Sequence, residues 1–294
     1  MNFKKLALGL AVAALSLTSS VGFAVPVKAQ YAKSKPTTSV EYDLGNTVTL
    51  RGVINSVSVS KAVESLSLAK SDEVFLFIQS PGGSIIDGMT LVNFIRSTDK
   101  KIICIADIAI SMAFVILQSC DERLSTANSI TMQHHASFGV NRGEAPNVVN
   151  FVNFLLKMDK ELDIAQAARI GITVEKFQKN IDRDWWLFGS DVAKENVTDR
   201  NVTAVCTKKL LESTVTEKIQ VMGGLFEVTL TWSGCPEILD PKSIEITKEF
   251  VNQFGYRERV AVTGETRISI EQELLARRFV SSKLGLGDNF TIAP

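Results

Sequence analysis

The chain has 294 residues, of which 45% are hydrophobic, so it is long enough for one large domain or two smaller ones. Its 32 basic and 32 acidic side chains balance, and they form no basic stripe, which argues against nucleic acid or a lipid surface as a partner. The four cysteines have neither CxxC spacing nor histidines around them, so we expect no metal site and no cofactor.

The first 29 residues have the features of a signal peptide. A basic start, Met1–Lys5, precedes the apolar stretch Leu6–Leu15, and the small-residue pattern at 27–29 predicts cleavage before Gln30. The alternative is an uncleaved membrane anchor, but hydroxyl residues interrupt the apolar run. We therefore expect an exported protein, periplasmic or secreted, that keeps no stable membrane anchor after cleavage.

Residues 30–44 lack periodicity and predict a flexible N-terminal segment, whereas 45–206 alternate between strand and helix patterns. Val74–Ile78 is continuously apolar, as expected of a strand buried on both faces of a parallel sheet. The pattern predicts an α/β domain with right-handed crossovers. The predicted strands are Thr47–Arg51, Val74–Ile78, Lys101–Ala106, Arg123–Thr126, Ile130–Gln133 and Val202–Val205, and the predicted helices are Ser58–Lys70, Asp87–Arg96, Ser111–Gln118, Val148–Ile170, Val174–Ile181 and Ser190–Asn196.

Residues 207–294 differ in character and predict a small α+β C-terminal module without recognisable chemistry. A glycine pair at 223–224 predicts a hairpin between Lys218–Met222 and Leu225–Trp232. The remaining predicted elements are a helix over Ser243–Phe254, a strand over Arg257–Val262 and a helix that begins at Ser269.

The even cysteine count favours disulfides in an exported protein. Sequence order suggests the pairs Cys206–Cys235 and Cys104–Cys120. The alternative for Cys104, which lies in an apolar run, is a small buried side chain.

Three short stretches carry candidate chemistry: Ser80–Gly83 at the end of an apolar run, Ile110–Ala113, and Asn128–His135. A hydroxyl nucleophile needs a base that titrates near neutral pH, and the chain has only two histidines, which are neighbours. Along a strand, Ile130, Met132 and His134 share one face, so parity favours His134 over His135 as the base.

The stretches Phe77–Ser84, Ala109–Met112, Asn128–His134 and Asp182–Asp184 resemble the proteolytic subunit of the Clp protease (ClpP), in the same order from about Thr47 to Val205. The resemblance implies a ClpP/crotonase-like spiral of strand-strand-helix units, peptide or unfolded-protein substrates, and assembly into homo-oligomeric rings. It also implies a triad of Ser111, His134 and Asp184. Asp182 is the competitor for the third position.

The resemblance further implies an oxyanion hole formed by the N–H groups of Gly83 and Met112. Other positions depart from the family pattern: Ala113 follows the methionine, His135 and Ala136 replace glutamine and proline, and Trp185–Trp186 follows the aspartate. An exported enzyme has no ATP, so the family's usual cytosolic ATPase is not an expected partner.

Three other readings compete with an exported serine peptidase. The signal-peptide-peptidase branch of the superfold uses a lysine base, but Lys100 and Lys101 are poorly placed for it. A catalytically silent ring or scaffold would keep the fold and lose the activity. An acyl-CoA hydratase-like protein is disfavoured because export separates it from the CoA pool.

Overall fold

The computed structural model describes residues 38–137, 145–221, 226–238, 241–251 and 257–262. The predicted signal peptide, the glycine turn at 223–224 and the helix from Ser269 lie outside these ranges. No helix among the described residues is both long and apolar enough to cross a membrane.

Twelve strands and seven helices can be numbered in chain order over the described residues. The strands are β1 Ser39–Tyr42, β2 Thr47–Arg51, β3 Glu73–Ser80, β4 Lys101–Ile110, β5 Glu122–Gln133, β6 Trp185–Phe188, β7 Arg200–Asn201, β8 Thr203–Cys206, β9 Thr214–Val221, β10 Phe226–Ser233, β11 Ser243–Val251 and β12 Arg257–Ala261. The helices are α1 Ser56–Leu68, α2 Ile85–Ser97, α3 Met112–Ser119, α4 Ala145–Ile170, α5 Val174–Ile181, α6 Ser190–Lys194 and α7 Lys208–Glu212.

The central sheet has the strand order β2-β3-β4-β5-β6, with the short β7 also paired to β5. Neighbours in this sheet are parallel except β6, which runs antiparallel to β5. The predicted α/β class is confirmed, and every helix predicted between residues 58 and 196 is found within a few residues of its expected bounds.

Both faces of the central sheet are buried, as the continuous apolar runs predicted. On one face Leu76, Ile78 and Ile102 pack with the helices in the main core. On the other face Phe77 and Ile105 pack against a second cluster. Alternate side chains of one strand thus enter two separate cores, which explains why β3 and β4 lack polar positions along most of their length.

The second core includes part of the segment that the sequence predicted to be flexible, so that prediction is wrong for residues 39–42. Ser39–Tyr42 pairs in parallel with Thr203–Cys206, and Val40 and Tyr42 are buried. The sequence Ser-Val-Glu-Tyr does alternate, but its partner strand lies more than 160 residues further along the chain. Residues 30–37 lie outside the described ranges.

Two boundaries in the central sheet also differ from prediction. The expected loop before Ser111 continues strand β4 to Ile110, past a register shift between Ala106 and Ile108. The two strands expected at 123–126 and 130–133 are one strand, β5, whose pairing with β4 shifts register between them. Such an irregularity adds residues to one strand without ending it, so the polar residues at 126–129 wrongly suggested a break.

The last described part of the chain is a four-stranded antiparallel sheet of order β12-β11-β10-β9. The predicted hairpin strands pair as β9 and β10, and the predicted strand at 257–262 is β12. The predicted helix over Ser243–Phe254 is wrong, because Ser243–Val251 pairs with strands on both sides. Ile244 and Ile246 lie on one face of β11 and pack on the apolar face of β10.

Both expected disulfides are present, Cys104–Cys120 and Cys206–Cys235. The second closes a loop with a sequence separation of 29 residues and ties the end of β8 to the turn after β10. Loop-closure entropy for this separation gives about 3–4 kcal/mol of stabilisation. We predict that the double substitution Cys206→Ser/Cys235→Ser lowers the free energy of unfolding by about that amount, measured by denaturant unfolding without reductant. An unchanged unfolding midpoint would contradict this prediction.

Candidate active site

The candidate residues lie at one edge of the central sheet. In a parallel sheet the carboxyl ends of neighbouring strands meet at the same edge. Strand β3 ends at Ser80, just before the glycine pair, while Ser111 follows β4 and His134 follows β5. These three strands are adjacent in the sheet. Strand order therefore brings together three segments that are separated along the chain.

Ser111 has a backbone conformation that serine seldom adopts, with φ 58° and ψ −122°. Such left-handed geometry costs about 1–3 kcal/mol and persists where neighbouring structure imposes it. The backbone N–H of Ser111 donates to the carbonyl of Met132 at 2.9 Å, and Phe114 N–H donates to the carbonyl of Ser111 at 2.9 Å. The sharp strand-to-helix turn presents the hydroxyl at the start of α3, a geometry typical of nucleophilic serines.

The two histidines point to different partners. His134 Nε2 lies 2.9 Å from Ser111 Oγ, within hydrogen-bond distance. His135 Nε2 lies 3.1 Å from Asp182 Oδ1 and is exposed. The strand parity read from the sequence and this geometry agree that His134 faces the serine.

Asp184 lies beside His134 across strands β5 and β6, but it forms no hydrogen bond with the imidazole ring among the described residues. Gln133 pairs with Trp185 across β5 and β6, so the residues just beyond that pair are His134 and Asp184. Asp184 has a positive φ of 56°, and it is exposed. No hydrogen bond between its carboxylate and His134 occurs within the described residues. Asp182, the other candidate, bonds His135 instead.

Gly82 lets the turn after β3 approach the serine. Its φ is +92°, and a Cβ there would lie 2.6 Å from the Ile110 carbonyl oxygen and 2.7 Å from Ser111 Cβ. Any larger side chain would therefore displace the serine. The resemblance implied a role for the neighbouring Gly83 and none for Gly82.

Gly83 has a φ of +147° and packs against the backbone of Ile54. Ile54 N–H donates to Gly82 O, and Ser84 N–H donates to Ile54 O, both at 2.8 Å. Among the described residues no acceptor bonds the N–H of Gly83. Met112 is the first residue of α3, where a helix N–H has no intrahelical acceptor. Nothing in the sequence indicated that Ile54 holds this turn.

A sequence profile described as Clp protease matches residues 44–202, slightly more than half of the chain. The chain belongs to the Clp protease family. The four-stranded sheet, which begins at Thr214, lies beyond the matched residues.

Curated relatives share low identity with the chain across most of their own length. An ATP-dependent Clp protease proteolytic subunit 3 from Rhodococcus jostii is 28% identical over 165 residues, covering 54% of this chain and 81% of the relative. Subunit 2 from Pseudomonas aeruginosa is 24% identical over 163 residues, covering 53% and 81%. A proteolytic subunit from Borrelia garinii is 27% identical over 157 residues, covering 51% and 80%.

The tryptophan pair that departs from the Clp protease pattern divides between core and surface. Trp185 contacts the rings of Phe114 and Phe177, with centroids about 6 Å apart. Trp186 is 56% exposed. The first tryptophan thus packs the start of β6 onto α3 and α5, whereas the second presents an apolar side chain to solvent.

A polar row crosses the ends of β2, β3 and β4 just before the serine. Arg51 Nε donates to Gln79 Oε1 at 2.9 Å, and Gln79 Nε2 donates to Asp107 Oδ2 at 3.0 Å. Burial raises the pKa of Asp107, while the bond from Gln79 and the charge of Arg51 only partly offset that effect. Burial and the charge of Asp107 likewise raise the pKa of Glu237.

The raised pKa of Asp107 fixes the sign of its effect on stability. A carboxyl with a higher pKa when folded loses stability as pH rises through the window between its unfolded and folded pKa values. At neutral pH the partly buried charge is therefore destabilising. We predict that Asp107→Asn, which keeps an acceptor for Gln79, raises Tm at pH 7.5 by more than it does at pH 4.5. An equal gain at both pH values would contradict the electrostatic cause.

Proposed function

We propose that the protein is a serine peptidase that hydrolyses peptide bonds through an acyl-enzyme on Ser111. The observation that carries the proposal is the 2.9 Å separation of His134 Nε2 and Ser111 Oγ, on a serine whose backbone is held at positive φ. Neutral imidazole accepts the hydroxyl proton as Oγ attacks the scissile carbonyl carbon. The imidazolium then gives that proton to the leaving amine, and water releases the acyl group by the same path.

The developing oxyanion needs donors that are already in place. The N–H groups of Gly83 and Met112 are the proposed pair, supported by the absence of an acceptor for Gly83 among the described residues. Donors aimed at this charge typically contribute about 3–4 kcal/mol to transition-state stabilisation. The contact of Gly82 with Ser111 supports this arrangement, because it holds the glycine turn beside the nucleophile.

Asp184 is the proposed carboxylate that orients His134 and stabilises its charged form. Its support is the register, which makes it the neighbour of His134 across β5 and β6. The bond itself requires the exposed Asp184 side chain to turn toward Nδ1. Asp182 is less suited to the task because it already bonds His135.

Residues 1–29 are the proposed signal peptide, residues 45–206 the peptidase domain and residues 207–294 a C-terminal extension, in an exported protein. The basic and apolar start of the chain and the two disulfides support export. Outside the cytosol no ATP is available, so short or unfolded peptides are the proposed substrates and no ATPase feeds the enzyme. This differs from the relatives, whose names state ATP dependence.

A homo-oligomeric ring is the proposed assembly. Helix α4 exposes apolar side chains that a solitary chain would leave in water, and four of them are about half exposed or more: Val149, Phe151, Phe154 and Leu156. We predict that Phe154→Glu shifts the oxidised full chain toward smaller species in light scattering. A matched change at exposed Lys160 to Glu leaves the mass unchanged. Loss of assembly in both variants, or in neither, would contradict a role for this apolar face.

A catalytically silent scaffold is the second candidate, and it is favoured by the lack of a hydrogen bond between Asp184 and His134 among the described residues. Turnover of short fluorogenic peptides by the full chain, without nucleotide or ATPase, separates the two. The peptidase proposal expects saturable turnover that an active-site phosphonate abolishes. No turnover of any peptide in a broad library, by a correctly folded and oxidised protein, would favour the scaffold.

A further inference from the structure

Beside the candidate active site, three metal-ligating side chains converge. Asp159 and Asp163 are four residues apart on α4, so their carboxylates share one face of that helix. His135 follows β5 and lies opposite them. One ligand atom from each of the three residues lies within 4.8 Å of the other two.

The Asp163 carboxylate is buried and has no lysine or arginine partner among the described residues. The residue is only 3% exposed. Its Oδ2 accepts a hydrogen bond from Gln178 Nε2 at 3.1 Å, while no described residue donates to Oδ1 or forms a lysine or arginine ion pair with it. A buried carboxylate in such a place is costly unless a cation neutralises it.

Each of the three residues is also oriented by another group. His135 Nε2 bonds Asp182 Oδ1 at 3.1 Å, and Ala136 N–H donates to Asp159 Oδ1 at 3.2 Å. Gln178 Nε2 in turn donates a hydrogen bond to Asp163 Oδ2. Residues that bind metals are typically held in this way by a surrounding layer of hydrogen bonds.

We propose that His135, Asp159 and Asp163 bind one divalent transition-metal ion of the zinc class. One imidazole and two carboxylates form a mixed nitrogen and oxygen set that suits zinc better than calcium or magnesium, which prefer oxygen alone. Zinc bonds of about 2.0–2.2 Å require ligand atoms roughly 3.3 Å apart. The exposed His135 side chain has the freedom to close that difference, and water completes the coordination.

One of the three ligands departs from the family pattern, since His135 stands where that family usually has glutamine. The cysteine pattern gave no sign of it. Because His135 is adjacent to His134, a bound ion would fix the segment after β5 against α4. The proposal itself does not depend on the peptidase activity.

The test is zinc binding to the oxidised full chain, purified without a polyhistidine tag and stripped with a chelator. Competition with a chromophoric chelator measures affinity and stoichiometry, and cobalt substitution reports coordination through its visible absorption. We expect one ion per chain, with affinity lowered about 100-fold or more by His135→Gln or Asp163→Asn. His134→Ala and Glu161→Gln, the latter a matched change on α4, keep the affinity within about threefold.

Thermal unfolding adds a readout that a folding defect cannot imitate. In chelator, Asp163→Asn unfolds at or above the wild-type Tm, because it removes a buried charge. With saturating zinc the wild type gains stability and the variant does not. Absence of zinc binding, wild-type affinity in Asp163→Asn, binding of calcium in place of zinc, or loss of the site through His134→Ala and not His135→Gln would each overturn the proposal.

Discussion

Substitution of Ser111 by alanine is expected to abolish peptide turnover, lowering kcat/KM by about 10⁴–10⁶-fold. The side chain removed is the one whose hydroxyl lies 2.9 Å from His134 Nε2, and no other described hydroxyl contacts that ring. Alanine keeps the backbone bonds to Met132 and Phe114, which do not involve the side chain. The variant should therefore keep the wild-type Tm to within a few degrees while losing activity, measured with a fluorogenic peptide under single-turnover conditions.

Ser119→Ala provides a matched control at the other end of the same helix. The Ser119 hydroxyl bonds the Ile116 carbonyl and no candidate site residue. Turnover by this variant should stay within about twofold of wild type, since a surface substitution of this kind changes little. Activity above about one per cent in Ser111→Ala, with the control behaving normally, would place the nucleophile elsewhere.

His134→Ala has the second largest expected effect, a loss of about 10³–10⁶-fold in kcat/KM at neutral pH. Without the imidazole nothing removes the proton from the serine hydroxyl. His135→Ala, assayed in chelator, should cost less than about tenfold, because that ring faces Asp182 and not the serine.

Comparing the two alanine variants is informative because His134 and His135 are adjacent residues of the same type. A general requirement for histidine near the sheet edge would affect both variants equally. If His135→Ala lowers kcat/KM as much as His134→Ala, or more, then His134 is not the sole base and the assignment from strand parity is wrong.

The sequence was most informative where local pattern and tertiary environment agree. Val74–Ile78 is apolar at every position because both faces of β3 are covered, so its strand and its burial could be read directly. Strand alternation placed His134 on the face that meets Ser111. The long helix α4 was likewise clear from its spacing of apolar residues.

The errors occurred where distant partners decide the structure. Ser39–Tyr42 is a strand because Thr203–Cys206 pairs with it, a contact between residues far apart in the chain. In Ser243–Val251 the spacing of apolar residues fits a helix nearly as well as a strand. The segment is a strand because it pairs with β10 on one side and β12 on the other. Propensity carries no information on such pairings.

Side-chain convergence around the candidate site was only partly predictable. The motifs that resemble Clp protease named Ser111 and His134, which lie within hydrogen-bond distance of each other. The orientation of the Asp184 carboxylate, which forms no hydrogen bond with His134 among the described residues, depends on a rotamer that no motif specifies. The cluster of His135 with Asp159 and Asp163 joins residues more than twenty positions apart. It appears only once β5 and α4 are placed side by side.

Labelling with a fluorophosphonate tests the account most directly, because the probe reacts with an activated serine whatever the natural substrate is. Peptide mass mapping should place a single adduct on Ser111, and the second-order rate constant should fall by about 100-fold or more in His134→Ala. An adduct on another serine, or unchanged labelling of Ser111 after His134 is removed, would show that this imidazole does not take the proton from that hydroxyl.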